Sequence, residues 1–159
     1  MFLAAVDGVV PLGAANRVAP APPPPTLTRI VHAPPTTKLS IAGTGTDFAM
    51  RAPGVSIAEA NAAKRGSVRI EDTLDLHGDT VDVARPKLEQ FMYASHRLGR
   101  RCVLIIHGRG LHSATGATLR ETVINDLAGP LSGWVHTATT ARAQDGGDGA
   151  TLVLLRYSK

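Results

Sequence analysis

The chain has 159 residues, 43% of them hydrophobic, which is enough for one ordinary domain with a real core. Lys and Arg exceed Asp and Glu by 17 to 13, a mild surplus that suits a phosphate-bearing partner without demanding one. The one cysteine, Cys102, excludes an intrachain disulfide and any four-cysteine zinc site.

The opening residues, MFLAAVDGVV, are apolar, but no Lys or Arg precedes the apolar stretch and Asp7 interrupts it. They make a poor signal peptide and are too short to cross a bilayer, so a cytoplasmic chain with no membrane partner is expected. Nine of the eleven prolines fall within residues 1–53. Proline removes backbone donors, so residues 1–37 read as a disordered Pro/Ala-rich arm. Residues 38–72 read as an N-terminal extension. Alternation around Leu39 and Ile41, and around Phe48 and Met50, predicts a weak hairpin. The stretch VSIAEANAAKRG predicts one short helix closed by Gly66.

From residue 73 to residue 159 the pattern strengthens into a domain. Residues 73–77 predict a strand that leaves through Gly78. A helix follows, with Thr80 as its N-cap and Val81, Ala84, Leu88, Phe91, Met92 and Ser95 at three- and four-residue spacing. Gly99 ends it. Pro86 falls beyond the first turn and predicts a late start or a kink. Residues 102–107 (CVLIIH) are a continuous apolar run suited to the middle of a covered sheet. The glycine-rich stretch GRGLHSATG leads to a second helix at about residues 117–127, stopped by Gly129-Pro130. Residues 134–141 predict a third strand. DGGDG at 145–149 predicts a turn, and residues 151–156 a last strand antiparallel to the third. The order β-α-β-α-β-β predicts an α/β two-layer sandwich, a mixed sheet with helices on one face.

The helix between the first two strands makes them parallel by a right-handed crossover. His77 and His107 then hold equivalent places, each at the carboxyl end of a strand and each followed by glycine. Neighbouring strands would bring the two imidazoles together, at the edge where open α/β sheets usually bind ligands. Along LDLHG, Leu74 and Leu76 point to one face and Asp75 and His77 to the other, so the carboxylate can orient the imidazole. Gly78, Gly108 and Gly110 let a phosphate approach the backbone, and Arg109 offers a charged planar fork. His112 is a third participant or merely a loop residue. A lone histidine at a strand end is more often structural than functional, and glycine-rich turns are common. His32, His96 and His136 are expected to face solvent. The GxxxxGK[ST] spacing of a nucleotide P-loop is absent, and so is a tight metal-ligand spacing such as HExxH. No residue is assigned to a metal.

LDLHG, then VLIIHGRGLHS, then DGGDGATLVLL, in that order, resembles the Smr (small MutS-related) domain family over residues 74–156. MRAPGVSIAEANAAKRGSVRIED resembles the stretch that precedes the domain in bacterial stand-alone members. The Pro-rich arm lies outside the resemblance. The resemblance implies a fold like the C-terminal domain of translation initiation factor three. It also implies an endonuclease acting on structured or branched DNA, or on RNA at stalled ribosomes. Asp75 and His77 match the family's Asp-Leu-His element. His107, Gly108, Arg109 and Gly110 match its glycine-rich loop, where Lys often replaces Arg109. On RNA, the 2′-hydroxyl is the nucleophile, with His77 or His107 as base, the other as acid, and Asp75 orienting one. On DNA, water attacks, and a divalent metal (Mg or Mn) near Asp75 is implied. The alternatives are a non-catalytic module that binds nucleic acid or ribosomes and, more weakly, a small-molecule phosphate hydrolase.

Overall fold

The computed structural model describes residues 36–44, 47–109 and 118–157. Gly110, His112, His32 and nearly all of the predicted arm lie outside the described residues.

Six strands form one sheet among these residues: β1 (Ser40–Thr44), β2 (Asp47–Arg51), β3 (Asp72–Asp75), β4 (Cys102–Ile106), β5 (Val135–Thr140) and β6 (Ala150–Leu155). Their spatial order is β1-β2-β5-β6-β4-β3. β3 and β4 are parallel, and every other pair is antiparallel. Three helices join them: α1 (Ile57–Lys64), α2 (Val81–Arg97) and α3 (Thr118–Ala128). From β3 onward the order is β-α-β-α-β-β. The hairpin of β1 and β2 extends the sheet by pairing β2 with β5.

The apolar run of β4 is buried because the sheet is covered on both sides. On one face, Val103 and Ile105 of β4 and Val153 of β6 pack with Leu88 and Met92 of α2 and Val123 and Leu127 of α3. On the other, Cys102, Leu104, Leu152 and Leu154 pack with Ala63 of α1 and with Val68 and Ile70. The two long helices therefore share a face, and the short α1 lies on the opposite one. Ala60 and Ala63 are its buried residues, and such small side chains let a helix sit close to a sheet. Ser56 and Glu59 close a capping box at its start. Burial of Cys102 pushes its thiol up to about 11, so it is an inert core residue.

Helix α2 starts at Val81 and runs through Pro86 to Arg97. The expected late start does not occur. Pro86 and Asp82 are both exposed, so the Asp82 carbonyl that loses its helical donor is open to water. His96 and His136 are half-buried rather than solvent-facing. The His96 ring lies 6.3 Å from that of Trp134, and His136 approaches Glu59 at 3.8 Å.

Candidate functional site

The parallel ladder sets the site. Asp75 pairs with Ile106, and the Leu76 amide donates to the Ile106 carbonyl at 2.7 Å. Continuing that register places Leu76 beside His107 and His77 beside Gly108. Leu76 is fully buried among the helix-side residues, while Asp75 and His77 are exposed, as the alternation predicts.

Asp75 and His77 form a tight local unit. One carboxylate oxygen of Asp75 accepts from the His77 backbone amide at 3.0 Å and from His77 Nδ1 at 2.5 Å. The backbone bond is an Asx turn, the usual way a short acidic side chain bends a chain. An ionised carboxylate only accepts, so Nδ1 carries the proton and Nε2 is the atom left to exchange one. The hydrogen bond to His77 holds the Asp75 carboxyl below its ordinary value. The hydrogen bond and the charge of Asp75 raise the His77 imidazole above its own. The His77 side chain is 70% exposed, so this pair adds little to stability, and its effect is to fix the ring.

His107 is placed differently. It is buried, with 3% of its surface exposed. Its Nδ1 donates to the Gly108 carbonyl at 2.8 Å, and its Nε2 accepts from the Thr151 hydroxyl at 3.0 Å. Thr151 pairs with Ile105, so its side chain and the His107 ring lie on the helix-covered face. The expected meeting of two imidazoles does not occur: the strands are neighbours, but His77 aligns with Gly108, and His107 shares the face of Leu76. Both nitrogens of His107 are occupied in its neutral form. Burial lowers its pKa, and the charge of Arg120 adds to that, against the Gly108 carbonyl and Asp148.

His107 folds with its pKa below the ordinary 6.5, so the unfolded chain binds the proton more readily. Its contribution is complete above the unfolded value and is lost as pH falls from there toward the depressed folded value. His96 acts in the same direction and His77 in the opposite one. The midpoint of thermal unfolding is expected to fall between about pH 7.5 and about pH 5, and the fall to be smaller in His107→Gln. Equal pH dependence in the two proteins would contradict the buried neutral ring.

Arg109 is held by a turn that the sequence marked only as a turn. Its Nε donates to Asp148 at 2.7 Å. The His107 and Gly108 amides both donate to the Gly149 carbonyl, at 3.0 and 2.9 Å. A Cβ on Gly149 would come within 3.3 Å of the Arg109 side chain. Asp148 and Gly149 are therefore the site residues that sequence reasoning missed. No sequence signal marked them, because it is the pairing of β6 with β4 that puts the residues before β6 beside those after β4. Gly108 has φ of 79°, a conformation that favours glycine and turns the chain toward Arg109. Gly78 adopts φ of 80° with open space around it, so it serves the turn into α2. Thr80 occupies the N-cap without a side-chain bond, and Asp79 pairs with Lys87 at 2.8 Å. Gly110 and His112 lie outside the described residues. Among those described, no three His, Cys, Asp or Glu side chains gather as a metal-ligand set.

A mixed α/β sheet thus carries an exposed Asp–His pair and a seated arginine at one end of its parallel strands. The chain belongs to the Smr domain family, whose model matches residues 74–156, a little over half its length. It is 37% identical over 89 residues to an uncharacterized protein of Treponema pallidum (strain Nichols), a match covering 55% of this chain and 43% of that one. It is 36% identical over 90 residues to the endonuclease MutS2 of Ligilactobacillus salivarius (strain UCC118), covering 57% of this chain and 11% of that one. The chain thus spans less than half the length of these relatives. The crystal structure of YdaL, a stand-alone small MutS-related protein from Escherichia coli, superposes with a TM-score of 0.56 and 27% identity, over 69% of this chain and 83% of that one.

Proposed function

We propose that this chain is an endonuclease that cleaves RNA by intramolecular attack of a 2′-hydroxyl. The observation that carries the reading is the exposed Asp75–His77 pair, which leaves His77 Nε2 free to take a proton. His77 Nε2 removes the 2′-hydroxyl proton as the 2′ oxygen bonds to phosphorus. The bond from phosphorus to the 5′ oxygen breaks, and that oxygen leaves with a proton from water. The products are a 2′,3′-cyclic phosphate and a 5′-hydroxyl. Arg109, held by Asp148, stabilises the charge that builds on the phosphate oxygens. His107 supports the Gly108–Arg109 turn from below and moves no proton. The endonuclease name of the MutS2 relative supports a nuclease reading.

A divalent metal suits this edge poorly. Asp75 is committed to His77, Asp148 to Arg109 and Asp79 to Lys87, and among the described residues no three His, Cys, Asp or Glu side chains gather as a ligand set.

Matched RNA and DNA oligonucleotides, single-stranded and branched, treated with and without EDTA, test the proposal. RNA cut in EDTA to cyclic-phosphate ends is the expected result. DNA cut only with added Mg or Mn would overturn it. Salt-sensitive binding without cleavage of any substrate would mark a binding module instead. The family resemblance suggests ribosome-bound RNA in the cytoplasm as the cellular substrate, which co-sedimentation with ribosomes tests.

A further inference from the structure

The sheet has a second charged edge, opposite the one described above. Arg69 lies just before β3, Arg100 and Arg101 just before β4, and Tyr157 just after β6. The antiparallel ladder puts these at the same end, since Cys102 pairs with Leu154 and the Leu155 amide donates to the Arg101 carbonyl at 2.8 Å. An open cleft of about 470 Å³ runs between Val68, Arg69, Glu71, Arg100 and Arg101.

The charges in this cleft are unevenly neutralised. Glu71 turns its carboxylate to the backbone amides of Arg101 and Cys102. Asp72 pairs with Arg100 at 2.7 Å. Arg69 is exposed and has no ion pair or hydrogen bond among the described residues. The Arg101 guanidinium lies 4.2 Å over the ring of Tyr157, which is 71% exposed. The Arg101 Nε is shielded from solvent and has no hydrogen-bond partner among the described residues. The terminal nitrogens of the Arg101 guanidinium have no acceptor among the described residues, so an arriving anionic oxygen can accept from them. A cation stacked on an exposed aromatic ring beside a second, exposed cation combines the two contacts that single-stranded nucleic acid uses, phosphate pairing and base stacking.

We propose that this edge is a second nucleic-acid contact surface, in which Arg69 and Arg101 bind phosphates and Tyr157 stacks a base. It rests on the reading of the chain as a nucleic-acid enzyme. Arg101 and His107 are six residues apart along β4, about 20 Å at strand rise. At 3.4 Å per nucleotide in a helical strand, that is roughly six nucleotides, so one strand can touch both edges. The contact would hold the substrate while His77 acts on a bond further along.

The test is fluorescence anisotropy of labelled RNA and duplex DNA, long enough to span both edges, over a series of KCl concentrations. The full chain carries His77→Ala throughout, so nothing is cut during the titration. Adding Arg69→Ala and Arg101→Ala is expected to lower the slope of log affinity against log salt by about 1.8 on duplex and about 1.4 on single strands. The paired lysine replacements should restore most of the slope, because they keep the charge. Tyr157→Ala should weaken single-strand binding by about fivefold or more. A double-alanine protein with the parent's melting curve and the parent's slope would overturn the proposal. Should that protein fail to fold, Arg69→Glu alone carries the test, since Arg69 is exposed and has no ion pair among the described residues. A parent that binds no nucleic acid would sink the broader reading as well, whereas binding with an unchanged slope sinks only this one.

Discussion

Replacing His77 with alanine is expected to slow phosphodiester cleavage by about two to four orders of magnitude, the range seen when a positioned acid–base group is removed. Binding should survive, because His77 is one exposed ring beside other contact groups. The pH profile distinguishes a proton-moving role from a merely structural one. As a general base, His77 must be neutral, so kcat/KM should climb with pH and level off above its raised pKa. Asp75→Asn removes the carboxylate that raises that pKa, so the inflection should move down while the plateau falls. The plateau falls because an amide in place of the carboxylate no longer enforces the tautomer with the proton on Nδ1. Wild-type cleavage by His77→Ala on the same RNA would end the assignment. So would an inflection that ignores Asp75→Asn. His107 is the internal contrast: its replacement should lower stability, through loss of the bonds to Thr151 and Gly108, more than it alters the chemistry of a folded sample.

The contrast between the two histidines shows where sequence reasoning runs out. Alternation along LDLH is a local property, and it correctly separated the leucines from Asp75 and His77. The apolar run of β4 and the helical spacing of α2 were legible for the same reason. The relation of His77 to His107 depends on the register between two strands, and register is set by tertiary packing. A shift of one residue reverses the face, and that shift takes His107 under the sheet. DGGDG was legible as a turn from its glycines, but the seating of Arg109 on it depends on strand order. Pro86 was read from its missing donor alone, whereas the exposure of Asp82, which makes the loss tolerable, appears only in the fold. The position of α1 on the far face, with alanines toward the sheet, was likewise invisible in a helix with so few apolar residues.

Arg109→Ala is expected to lower kcat by about 100- to 1,000-fold, the effect of deleting one donor that meets charge developing in a transition state. The separation of kcat from KM matters here. A guanidinium that only attracted the substrate would raise KM and spare kcat. The structure favours an effect on kcat because the side chain is held in one place, with Nε on Asp148 and its stem against Gly149. Asp148 then acts through Arg109 as a positioning residue, and Asp148→Asn should lose about tenfold, since an amide oxygen still accepts from Nε but more weakly. Arg109→Lys should fall between wild type and Arg109→Ala: the charge remains, but the planar fork and the Nε bond do not. If Asp148→Asn has no effect in wild type but Arg109→Lys is severe, the fork matters and its tether does not. If both are silent while Arg109→Ala raises KM alone, Arg109 is a docking charge, and the charge on the phosphate must be met by other groups.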